Sequence, residues 1–292
     1  MLIVPLVVLS AYGLAVPVAM ATYATTSAGD PGAAGPPIRE GDPDFDAVTL
    51  RTADGVELAG WYTASSNRAG ILLAHGASSD SDSLLDHAKV LSDAGFGVLL
   101  VDARGHGRSR GEAMKFGWFG DADLRAGLDY LVARQDLDPN RIGALGVSMG
   151  GEEVIGTFAV DSRMAAAVAE GATGRTYADR GWLDEVYGLR GRFQQVVDSV
   201  MYSLTDLLTP ASPPTSLRDA VAWGAPRPVL LIAAGNERDE VHAADEIRSA
   251  SPTNVDVWVV PGGNHTSGLT TRPTEWSTRV TGFFVETLLA SA

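Results

Sequence analysis

The 292-residue chain contains no cysteine. That excludes disulfides, a thiolate nucleophile and thiolate-held metal, and it says nothing about compartment. Positive charge is also scarce. Twenty-two Lys and Arg stand against 36 Asp and Glu, a formal net charge of −14. Such a surface repels phosphate backbones and anionic lipid headgroups, which argues against nucleic acid as a partner and against electrostatic docking on a bilayer. The sequence has no internal repeat and no heptad run, so a solenoid or a coiled coil is not expected.

Charge is missing altogether from the first 29 residues. Residues 2–23 are apolar over enough length to cross a hydrocarbon layer of roughly 30 Å as a helix. Pro5 and Pro17 are tolerable in a membrane helix. A secretory signal is the rival reading, with Ala19-Met20-Ala21 as the cleavage site. The run is long for a signal, and no Lys or Arg precedes it, so the anchor is preferred. Arg39 is the only basic residue among the charges that first follow, which favours export of the C-terminal bulk. The expectation is a single N-terminal anchor over residues 1–26 with the domain outside the cytoplasm, or a secreted domain after cleavage. SAGDPGAAGPP (27–37) falls in a Gly/Pro/Ala-rich linker spanning 27–44.

From residue 45 the pattern becomes that of a folded domain running to 292. FDAVTLRT (45–52) and VELAGWYT (56–63) flank Ala53-Asp54-Gly55, a hairpin signal. The apolar runs GILLAH, GVLLVD, RIGALGV, AAAVAE, PVLLIAA and VDVWVV then alternate with helical patterns near 81–94, 119–134, 149–160, 240–250 and 273–290. Continuous apolar strands between helices predict an α/β fold, a mostly parallel sheet covered on both faces. About 57 residues separate AAAVAE from PVLLIAA, too many for a connection, and 174–224 is expected to be a helical cap insertion. Val186, Leu189, Phe193, Val196, Val197 and Val200 recur at helical spacing and predict one apolar face. That face either packs on the domain or lines an acyl pocket.

Two stretches fit Gly-x-Ser-x-Gly, GRSRG (107–111) and GVSMG (146–150). In a chain with 33 glycines the pattern alone is weak evidence. Ser148 directly follows a buried strand and opens a helix, the setting in which a serine is held in a strained turn and exposed. Gly146 and Gly150 are needed there because side chains two residues either side would collide. Ser109 lies in a Gly-rich loop with no helix after it and is read as structural.

A serine nucleophile needs a base and an orienting acid. Only His242 and His265 follow Ser148. His242 falls inside a helical pattern, whereas His265 lies in the Gly-rich loop after the last strand and can reach the active edge of the sheet. The acid should follow PVLLIAA, in GNERDE, where Glu237, Asp239 and Glu240 compete. Asp239 is preferred, and Glu240 and Glu237 remain alternatives. The backbone N–H groups of Ala77 and Met149 are the expected oxyanion donors. His75 and His106 are read as structural histidines bonding loop backbone.

HGASSDSDS, DARGHGRSRG, GVSMGG, the acidic loop after PVLLIAA and GGNH resemble, in order and spacing, the α/β-hydrolase superfamily. The likeness covers residues 45–292. It is greatest to the serine-hydrolase branch that includes monoacylglycerol lipases, serine aminopeptidases and membrane-anchored relatives. The resemblance implies an eight-stranded sheet with a helical cap and triad roles for Ser148, Asp239 and His265. Arg238 occupies the usual place of the acid, so the acid is displaced by one residue. The implied activity is hydrolysis of a small-molecule ester, with an acyl lipid among the candidates. No cofactor or metal is required. An acyltransferase, a serine peptidase and a non-catalytic binding protein are the alternatives.

Overall fold

The apolar runs become strands whose side chains alternate between two separate cores. In β3 (Gly70–Ala74), Leu72 faces one core while Ile71 and Leu73 face the other. In β4 (Gly97–Val101), Leu99 is on the first side and Val98 and Leu100 on the second. A strand buried on both faces needs no polar residue, which is why these segments read as unbroken apolar runs. The computed structural model describes residues 15–25 and 39–290.

The hairpin strands are β1 (Asp46–Arg51) and β2 (Glu57–Thr63), joined by a turn in which Gly55 takes φ +89°. Beyond β4 follow β5 (Ile142–Val147), β6 (Ala166–Glu170), β7 (Val229–Ala234) and β8 (Val255–Val260). All eight form one sheet in the order β1-β2-β4-β3-β5-β6-β7-β8. β2 runs antiparallel to both its neighbours, and every other pairing is parallel.

Residues 15–24 form a helix, α1. The helices within the sheet domain are α2 (Leu85–Asp93), α3 (Gly120–Val132), α4 (Met149–Val160), α5 (Leu183–Tyr187), α6 (Leu189–Leu208), α7 (Leu217–Gly224), α8 (Arg238–Ala250), α9 (Gly268–Thr271) and α10 (Pro273–Phe284). α2 and α10 cover one face through Leu85, Ala88, Leu91, Trp276, Val280 and Phe284. α3, α4, α7 and α8 cover the other through residues such as Leu128, Ile155, Val221 and Ile247.

Between β6 and β7 lie α5, α6 and α7. Leu217, Ala220 and Val221 place α7 in the main core. α6 is amphipathic, but its phase differs from the expected one. The buried stripe is Gly191, Val197, Asp198, Met201, Tyr202 and Thr205, while Leu189, Phe193 and Val196 are exposed. Apolar spacing marks a helix here but misplaces its buried face, to which an aspartate and a threonine belong.

The second half of the uncharged N-terminal run, α1, lies against the domain. Ala21 and Ala24 are fully buried, and the Ala24 carbonyl accepts the Lys115 N–H at 2.7 Å. Residues 1–14, and residues 27–38 of the expected linker, lie outside the described residues. Among the described residues no helix is long and apolar enough to cross a membrane.

Candidate active site

The turn from β5 into α4 is as tight as the glycines imply. Ser148 sits at φ 54°, ψ −121°, a conformation that costs a non-glycine residue on the order of 1–3 kcal/mol and holds only where its surroundings over-determine it. A Cβ on Gly146 would stand 2.1 Å from the Gly150 carbonyl oxygen, and one on Gly150 would stand 2.2 Å from that of Ala74. The Ser148 N–H donates to the Glu170 carbonyl at 2.7 Å. The strained serine is therefore fixed from the side of β6 as well.

His265 follows β8 on the Gly-rich loop. Its Nε2 lies 2.9 Å from Ser148 Oγ and its Nδ1 lies 2.5 Å from Glu240 Oε1. The structure thus brings Ser148, His265 and a carboxylate into one line, and the carboxylate is Glu240. Asp239 does not reach the histidine: it is exposed and accepts a hydrogen bond from the Tyr187 hydroxyl. Glu237 stands at the N-terminal boundary of α8, where its side chain makes no capping hydrogen bond, and is exposed too. The reason is helical phase. α8 begins at Arg238, and each residue turns about 100° around the axis, so Asp239 points outward and Glu240 inward. Glu240 is buried, and its other oxygen accepts the Ala234 N–H at 2.8 Å, which fixes the carboxylate against the end of β7.

The Glu240 carboxylate raises the His265 pKa above its ordinary value of 6.5, against the lowering effect of partial burial. A proton-accepting imidazole must be neutral. Turnover should therefore fall on the acid side through a pKa above 6.5, and kcat/KM measured from pH 5 to 9 checks this. The same pair favours the protonated, folded form. Its contribution to stability is fully present below the unfolded histidine pKa and is lost as pH rises through the higher folded value.

Ala77 and Ser148 share the walls of two cavities. A Cβ on Gly76 would approach the Ser148 Cβ to 3.4 Å, so the loop after β3 runs directly beside the nucleophile candidate. The N–H groups of Ala77 and Met149 donate to no protein acceptor among the described residues. Both are thus free to receive a developing oxyanion. His106 Nε2 contacts the Ala77 carbonyl at 2.9 Å, and His75 bridges the Gly76 carbonyl and the Ala103 N–H. These two histidines hold the loop. Ser109 is buried, donating to the Asp102 carbonyl at 2.5 Å and accepting the Ala59 N–H at 2.8 Å. His242 is half-buried and stacks on Trp182.

Two buried acids were not singled out from the sequence. Glu170, the last residue of β6, accepts the Gly268 N–H at 2.7 Å and the Trp276 indole N–H at 2.9 Å, and so ties down the loop that carries His265. Burial raises its pKa. A charge ending the apolar run AAAVAE was the available signal. Glu152, in the first turn of α4, accepts the Thr173 and Gly174 N–H groups, and burial raises its pKa as well.

The first of the two cavities, about 430 Å³, is lined by His265 and Thr266 beside Ser78, Ser79, Ser83 and His87. The second, about 380 Å³, lies under the cap. Its walls include Met149, Glu152, Phe116, Arg180, Val197 and Met201, and α1 contributes Val16 and Met20.

The family model that matches this chain is Serine aminopeptidase, S33, over residues 65–203. Among curated proteins, Rv2307c of Mycobacterium tuberculosis is 35% identical over 112 residues, which is 37% of this chain and 39% of that protein. The polyketide transferase grgF of a Penicillium species is 30% identical over 131 residues, 42% of this chain and 43% of that protein. The matched stretch thus spans about 40% of the length of these relatives. Among solved structures, the Pyrococcus furiosus esterase Pf2001 superposes with a TM-score of 0.69 at 21% identity, covering 90% of this chain and 99% of its own. The α/β hydrolase GrgF from Penicillium does so at 0.64 and 18% identity, covering 84% and 99%.

Proposed function

We propose that the chain, which folds like the α/β hydrolases and matches the serine aminopeptidase family model over residues 65–203, is a serine hydrolase of carboxylic esters working through an acyl-enzyme on Ser148. The observation that carries this reading is the continuous contact Ser148 Oγ–His265 Nε2, His265 Nδ1–Glu240 at a strained turn. Ser148 Oγ attacks the ester carbonyl while His265 Nε2 takes its proton. Glu240 holds the imidazole in the required tautomer and stabilises the imidazolium. The Ala77 and Met149 amides receive the oxyanion, each worth roughly 3–4 kcal/mol in the transition state. His265 returns the proton to the leaving alkoxide, the C–O bond breaks and the alcohol departs. Water, deprotonated by His265, then releases the acid.

A fluorophosphonate probe tests the reading. Wild-type protein should label at Ser148 and the Ser148→Ala variant should not. If wild type fails to label, or Ser148→Ala labels equally, the proposal falls. A second reading, acyl transfer to an alcohol, is favoured by one observation, the similarity to a protein named as a polyketide transferase. Product analysis with added alcohol acceptors separates the two, since a transferase yields the exchanged ester at the expense of the free acid.

We further propose, from the uncharged N-terminal run, that the protein is held at a membrane with its domain outside the cytoplasm. It should then resist alkaline carbonate extraction. Release into the soluble fraction with a new N-terminus at Thr22 would instead mark a cleaved signal.

A further inference from the structure

What the acyl part of the substrate carries can be read, on the serine-hydrolase reading, from the two cavities that meet at Ser148. The protonated His265 must hand its proton to the leaving oxygen, so the alcohol part of the ester lies on the side lined by His265. His265 lines the 430 Å³ cavity and not the cap-side one. The acyl chain then occupies the 380 Å³ cavity under the cap.

That cavity is not a plain hydrocarbon slot. Phe116, Met149, Val197 and Met201 of the domain give it apolar walls, but Arg180, Asp198, Gln194 and Glu152 also line it. Arg180 is unusual among the domain's shielded arginines. Arg104 spends its donors on Asp54 and Asp123. Arg180, by contrast, donates to no protein acceptor among the described residues. Its Nε is buried without a hydrogen bond, and Asp198 Oδ2, 3.4 Å away, is buried without one as well. Asp198 Oδ1 is already taken by Gln194 at 2.7 Å. Asp198 thus neutralises the guanidinium by proximity, while the Nη donors of this part-exposed side chain bond no protein acceptor among the described residues and remain available to a ligand. Shielded polar groups are normally paired, and a guanidinium fork matches a carbonyl or carboxylate oxygen.

We propose that Arg180 is a specificity-determining residue that binds an acceptor oxygen on the acyl chain, so that the preferred substrates are esters of oxo-acids or dicarboxylic acids rather than of plain fatty acids. The shared chemistry is an oxygen acceptor some carbons from the scissile carbonyl. Asp198 and Gln194 hold the guanidinium toward it.

The test compares p-nitrophenyl esters of four to eight acyl carbons in three forms: unsubstituted, with a ketone next to the terminal carbon, and with a terminal carboxylate. Wild type should prefer at least one oxygenated form over the plain ester of equal length by tenfold or more in kcat/KM. Arg180→Met should abolish that ratio, and Arg180→Lys should restore part of it for the carboxylate form. Preference for the ketone identifies a neutral acceptor, and preference for the carboxylate an anionic one. A wild type that prefers plain esters throughout, or an Arg180→Met variant that keeps the wild-type ratio, overturns the proposal. Fluorophosphonate labelling of Ser148 in the same preparations distinguishes the outcomes. Labelling without the preference defeats only the role of Arg180, whereas failure to label defeats the hydrolase reading itself.

Discussion

Glu240→Gln should lower kcat by about a thousandfold or more, whereas Asp239→Asn should leave it within about threefold. The two acids are neighbours in sequence, yet only Glu240 contacts His265 Nδ1. Glutamine keeps the shape of the side chain, and its amide oxygen can still accept from the Ala234 N–H. What it removes is the negative charge that stabilises the imidazolium and selects its tautomer. The acid limb of the pH profile should therefore move to lower pH in the residual activity, because the group that raises the histidine pKa is gone. Asp239 bonds Tyr187 on the exposed start of α8, and asparagine can still accept that bond. Steady-state kinetics of the two variants side by side check both statements. A collapse of turnover in Asp239→Asn with Glu240→Gln near wild type would show that the acid is wrongly assigned.

Gly150→Ala should destabilise the fold by about 3 kcal/mol or more and remove most activity. The added Cβ would lie 2.2 Å from the Ala74 oxygen and 2.6 Å from the His75 oxygen. Both are backbone atoms at the end of β3, so relief requires moving the strand or the loop that carries Ala77. Gly282→Ala is the matched control. It lies in α10 with nothing within 4 Å of the added methyl, and helix propensity there favours alanine by up to about 1 kcal/mol. Chemical denaturation midpoints should move in opposite directions for the two variants. Equal stability of Gly150→Ala and wild type would mean that the close packing of β3 against α4 is looser than these distances require.

Much of the domain was legible before the structure because its signals are local. Strand–helix alternation, the hairpin turn and the glycines around Ser148 each follow from residues a few positions apart. The order serine, acid, histidine was legible as well, since it is a property of the chain. What was not legible depended on phase or on distant partners. Asp239 and Glu240 differ by one step of a helix whose starting residue the sequence does not mark sharply. The buried face of α6 was misjudged for a related reason. Asp198 and Thr205 belong to it, and their place is set by Arg180, Gln194 and the cavity rather than by hydrophobicity. Glu152 and Glu170 look like ordinary charges in sequence. Their partners lie between 21 and 106 residues away, and only the folded sheet brings them together.

Glu170 joins two things that must agree. Its carbonyl oxygen holds the amide of Ser148, and its carboxylate holds the loop and the indole behind His265. Nucleophile and base are thus surveyed from one benchmark at the end of a central strand, and neither can drift without dragging the other's reference point. The spacing of 2.9 Å between Ser148 and His265 is in that sense a property of β6. None of the contacts that set it comes from α5 or α6, so it does not depend on the cap.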